Sequence, residues 1–136
     1  MKNSLLKLFV FILLISTFIL PSSVSAVELF QKKIDFSGTD NGSNPMSSLT
    51  QATDSMLYGT TYSGGVNNKG ILFQYNPTTG ILTKKIDFSG ADNGANPRMS
   101  LVQATDGMLY GMTYSGGAND FGILFQYNPT TGILTK

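Results

Sequence analysis

The sequence predicts an all-β protein: two four-stranded, propeller-like blades, an incomplete β-propeller, behind an N-terminal signal peptide. Three observations predict it. A 52-residue segment occurs twice in tandem, Lys33–Lys84 and Lys85–Lys136, with no insertion between the copies. Within each copy, short runs rich in Thr, Tyr, Ile and Phe are separated by turn dipeptides such as Asn93-Gly94, Asp106-Gly107 and Asn76-Pro77. No window beyond the first 26 residues shows helical periodicity.

The leader comes first. Met1–Lys7 carries Lys2 and Lys7 and no acid, Leu8–Leu20 is a 13-residue apolar run, and Pro21 breaks it ahead of Val24-Ser25-Ala26. Basic, apolar and small-residue regions in that order form a secretory signal peptide over residues 1–26, cleaved after Ala26. A spanning helix needs about 20 apolar residues, so no membrane span is expected once the leader is removed. The expected location is secreted, extracellular or in the cell envelope.

The remaining residues, 27–136, form the β-repeat region. Charge there is sparse: seven basic residues against eight acidic ones, a net charge of −1. That balance lacks the electrostatic footprint of a nucleic-acid binder. The chain contains no Cys and no His. Disulfides, thiolate metal sites, a Cys nucleophile and a His general base are therefore excluded, and no cofactor or metal is expected.

The two copies, 33–84 and 85–136, are identical at 42 of 52 positions. Each reads as four strands. In the first copy these are Ser48–Ala52, Met56–Tyr62, Gly70–Tyr75 and Ile81–Phe88. A tight turn at Thr53-Asp54-Ser55 joins the first pair, and Asn76–Gly80 turns the chain between the last two. Ser63–Lys69 and Ser89–Met99 read as loops. Eight of the ten differences between copies fall in stretches read as loops, Met46/Arg98 and Asn68/Asp120 among them, and two (Thr50/Val102, Thr60/Met112) fall in strands, as expected for loops on a β scaffold.

The central strands are apolar on both faces: Ile71, Phe73 and Tyr75 on one side, Leu72 on the other. Two buried faces suit sheets stacked on each other, and Gly59 and Gly111 are expected to admit a neighbouring backbone. Period and pattern favour a propeller over an open β-solenoid. Leu29–Phe36 is equivalent to Ile81–Phe88 and reads as a fourth strand with no blade of its own, while Ile133–Lys136 covers only part of the matching strand in the second copy. Two readings follow: a homo-oligomer that completes its blades head to tail, or a piece of a longer array.

The stretch Asp92–Gly132 resembles the Gloeo/Verruco-type (GloVer) repeat of extracellular bacterial proteins. The resemblance rests on Gly94, Pro97, Leu101, Asp106, Gly107, Leu109, Tyr110, Gly111, Thr113, Gly116, Gly117, Gly122, Phe125 and Gly132 in that order. The first copy matches except that Ser55 stands at the turn glycine. The resemblance implies a secreted, propeller-like repeat array and brings no catalytic residue set with it.

Candidate chemistry is thin. Asp35, Asp40 and Asp54 recur as Asp87, Asp92 and Asp106 at turns and strand ends, where Asp ordinarily shapes the turn. Asp40–Asn44 and Asp92–Asn96 lack the spacing of a calcium loop. The loops after Tyr62 and Tyr114 place an aromatic ring beside Asn67 and Asn68, and beside Asn119 and Asp120. Neutral sugar sites combine a ring with amide and carboxylate groups in this way; the plainer reading packs the tyrosines between blades. These six residues are the candidate ligand site. The expected function is non-enzymatic surface binding or adhesion, with a glycan or another polymer as ligand. The alternatives are a scaffold part without activity of its own and, less favoured, a propeller hydrolase or lyase.

Overall fold

The computed structural model describes residues 30–136. The expected signal peptide and its cleavage site, and Leu29 at the head of the expected first strand, lie outside the described residues. Lys32–Lys136 form one compact unit. Among the described residues there are nine strands and no helix, and so no helix long and apolar enough to cross a membrane.

The first sheet has the order β1 (Thr50–Gln51), β2 (Leu57–Thr61), β3 (Ile71–Tyr75) and β4 (Leu82–Asp87), every pair antiparallel. These strands fall inside the four runs expected for the first copy. Thr50, Tyr58 and Gln74 stand opposite one another across the sheet, as do Leu57, Tyr75 and Leu82. The sheet therefore has two faces: a back carrying Thr50, Tyr58, Thr60 and Leu72, and a front carrying Leu57, Phe73 and Tyr75. The second sheet repeats the pattern with β6 (Val102–Gln103), β7 (Leu109–Ser115), β8 (Leu124–Tyr127) and β9 (Leu134–Thr135).

The second sheet also gains β5 (Ala95–Pro97), which pairs with the far end of β7 through Ala95–Ser115 and Pro97–Thr113. The sequence reads this stretch as part of a long loop. Ala-Asn-Pro has little strand propensity of its own, and β5 exists because of partners distant in sequence. The Asn96 N–H donates to the Lys69 carbonyl at 2.8 Å and its side-chain amide to the Tyr62 carbonyl at 2.9 Å, which ties β5 to the first sheet as well.

The core sits at the seam where the back of the first sheet meets the front of the second. Ala52, Tyr58, Leu72 and Phe88 meet Leu101, Leu109, Phe125 and Tyr127 there. Tyr58 tilts against Tyr127 at 6.2 Å between ring centroids, and Phe88 against Phe125 at 5.5 Å. Each large side chain so buried contributes about 1.5–3 kcal/mol. The Thr50 hydroxyl donates to the Leu101 carbonyl at 2.6 Å, and the Thr53 N–H to the Gln103 side chain at 2.8 Å.

Two expectations change at this level. Gly59 and Gly111 admit a side chain of their own sheet and not a neighbouring backbone. A Cβ at Gly111 would lie 2.5 Å from Cζ of Phe125, and one at Gly59 2.6 Å from Cζ of Phe73. Residues 30–36 form no strand ladder. Within 30–36, Phe36 instead lays its ring on Phe73 of the front face, 5.6 Å between centroids.

Candidate functional site

Tyr62 follows directly on β2, and Tyr114 lies within β7. In sequence they belong to separate copies. The fold brings them to one place, because β5 holds the next turn between the two sheets and Arg98 follows it. The Arg98 guanidinium carbon lies 4.8 Å from the Tyr62 ring centroid and 4.0 Å from that of Tyr114. A cation over two ring faces is attracted to both. The Arg98 guanidinium also donates to the Tyr62 hydroxyl at 3.4 Å, and Tyr114 keeps 61% of its surface exposed.

Behind the stack, Asn96 receives the Ser115 hydroxyl on its side-chain oxygen at 3.0 Å and donates to the Tyr62 carbonyl. Sequence reasoning missed Arg98. Its signal is that, of the ten positions where the copies differ, this alone gains a positive charge, Arg98 standing where the first copy has Met46.

The four other candidate residues have varied surroundings. The Asn68 side-chain oxygen accepts from the Gly64 N–H at 3.0 Å, and that of Asp120 from the Gly116 N–H at 2.7 Å. Both backbones sit at positive φ, 51° and 59°, so these side chains close the Gly-Gly loops. Asn67 donates to the Phe88 carbonyl at 3.1 Å. Asn119, its equivalent, is exposed.

The acids work locally. Asp54 accepts the Met56 N–H at 3.0 Å and the Tyr58 hydroxyl at 2.8 Å, and Asp106 repeats both bonds with Met108 and Tyr110. These bonds hold the Asp106 carboxyl below its ordinary range and push the Tyr110 hydroxyl up. Burial, and then the bond to Asp54, push the Tyr58 hydroxyl further still. Burial also raises Tyr127, whose hydroxyl is enclosed with no hydrogen-bond partner among the described residues. In the Asp40–Asn44 loop, the Asn41 oxygen accepts the Ser37 N–H at 2.7 Å, and Asn93 does the same for Ser89. Both are turn bonds.

Two apolar surfaces complete the picture. The front of the first sheet carries a groove of about 490 Å³ lined by Phe36, Leu49, Leu57, Phe73, Tyr75 and Leu82. The back of the second sheet exposes Val102, Met112 and Leu124.

No curated protein and no solved structure matches the chain. The chain belongs to the Gloeobacter/Verrucomicrobia repeat family, whose family model matches residues 22–136.

Proposed function

We propose that this protein is an exported, non-enzymatic module of a propeller-type array. It binds glycans or related surface polymers, and its copies associate head to tail. The observation that carries the binding reading is the Tyr62–Arg98–Tyr114 stack at the seam. An exposed ring offers apolar surface to a sugar, and a guanidinium held over two rings keeps N–H donors for hydroxyls or a carboxylate. The leader sequence supports export, and the repeat-to-repeat packing supports the propeller-type stacking.

An array of neutral and acidic glycans probed with wild type, Tyr114→Ala and Arg98→Met tests the binding reading. Wild type is expected to retain a defined subset, and each variant to lose about tenfold in affinity, the worth of one stacking or cation–π contact. A well-folded wild type that retains no glycan overturns the reading.

A further inference from the structure

The two sheets of one chain provide a worked example of how such sheets join, and the surfaces left over are the two halves of a second such joint. At the seam, a back face (Tyr58, Leu72) meets a front face (Leu109, Phe125, Tyr127). The front face of the first sheet carries the apolar groove, with Phe73 already covered by Phe36, and the second sheet has its own back face exposed. The residues correspond: Leu57, Phe73 and Tyr75 repeat Leu109, Phe125 and Tyr127, while Tyr110 and Leu124 repeat Tyr58 and Leu72. The open back face is also more apolar than its buried counterpart, because Val102 and Met112 replace Thr50 and Thr60. Both are over half exposed. Large apolar side chains grouped on one exposed face mark an association surface.

The strand edge carries the same information. β4 runs six residues and pairs Ile86 with Leu72 and Asp87 with Ile71. β9 runs two, pairing only with Gln126 and Tyr127, so Ile123 and Leu124 have no ladder partner on that side among the described residues. Lys33-Ile34-Asp35-Phe36 repeats Lys85-Ile86-Asp87-Phe88. Phe36 already lies on Phe73 as Phe88 lies on Phe125, at 5.6 and 5.5 Å with rings tilted by 59° and 55°. That segment is held where a strand of a neighbouring sheet would end.

We propose that the front face of the first sheet is the docking site for a second copy of this chain, which presents the back of its second sheet in the register already used at the seam. This rests on the head-to-tail association proposed above and goes further by fixing which residues meet. Residues 33–36 of one copy extend β9 of the other: Ile34 pairs with Leu124, and Asp35 with Ile123. The Asp35 carboxylate, which pairs with Lys32 of its own chain at 2.7 Å, takes the place of Asp87, which accepts the Val66 N–H at 2.8 Å and pairs with Lys84 at 2.9 Å; its partners then include the Ala118 N–H and Lys136 of the other copy. Asn119 donates to the Phe36 carbonyl, as Asn67 does to Phe88. The two surfaces are unlike, so the contact is heterologous and builds a ring or a filament.

The chain has no cysteine, which gives the test a clean background. Two single variants, Ile34→Cys and Leu124→Cys, are purified separately, mixed and oxidised. A disulfide joining one of each is expected as the dominant product, with Ile34→Cys mixed with Ile133→Cys giving none. Sedimentation of the wild type over a concentration series is expected to show species larger than the monomer. Asp35→Lys is expected to weaken association about tenfold, and a compensating Lys136→Asp to restore it. A wild type that stays monomeric throughout overturns both association and register, and leaves the glycan reading to its own assay. Larger species in which the Ile34→Cys and Leu124→Cys variants form no mixed disulfide overturn the register alone.

Discussion

Tyr58 is fully buried, yet its hydroxyl donates to Asp54 and accepts from the Gln74 amide at 2.7 Å. A phenol held this way resists ionisation, so its folded-state pKa stands above that of the unfolded chain, about 10. The sign follows from linkage. The stabilisation is fully present below about pH 10 and is lost as pH climbs through the raised value, because the unfolded chain gives up its proton first. The urea midpoint is expected to fall between pH 8 and pH 11. Tyr58→Phe is expected to cost about 1 kcal/mol at pH 8 and to shrink that fall; an unchanged pH dependence would contradict the assignment. At this scale much was legible. Tyr62 and Tyr114 stand out as rings beside polar loops, and Asp54 and Asp106 as turn formers. Arg98 was not legible as their partner, since its place between two rings depends on β5 crossing the seam, which no local pattern records.

Among the elements, β2, β3 and β4 could be read from the sequence because Tyr- and Thr-rich runs bounded by Asn-Pro and Asp-Ser turns carry their own signal. β5 could not, because Ala95–Pro97 borrows its ladder from Ser115 and Thr113. Residues 30–36 carry a strand-like pattern identical in part to β4 yet form no ladder among the described residues, and Phe36 packs on Phe73 instead. The packing under β7 gives a sharp prediction. Gly111→Ala places a methyl 2.5 Å from Phe125 and 2.7 Å from Leu101, two side chains that are themselves enclosed in the core. Overpacking of this kind costs about 1–3 kcal/mol. The denaturant midpoint should drop accordingly with an unchanged m-value, and an unperturbed midpoint would show that Phe125 yields freely.

For the whole unit, the location of the core decides the cooperativity. Of the eight residues in the seam cluster, four lie on or beside the strands of each sheet, and they bury one another there. Neither sheet keeps that cluster enclosed without the other. The two copies are therefore expected to unfold in a single transition by calorimetry, and a chain containing only residues 33–84 is expected to give no cooperative transition at all. Two separate transitions in the intact protein would contradict this. The near-identity of the copies has a kinetic consequence as well. During folding, the β4 segment meets two almost indistinguishable edges, β3 and β8, and only ten side chains tell the copies apart. The Thr50 hydroxyl bond to the Leu101 carbonyl is one such marker, since Val102 has no hydroxyl to offer. A chain so nearly self-repeating searches among mispaired arrangements before it finds its own, and crowding several nascent chains together lengthens that search.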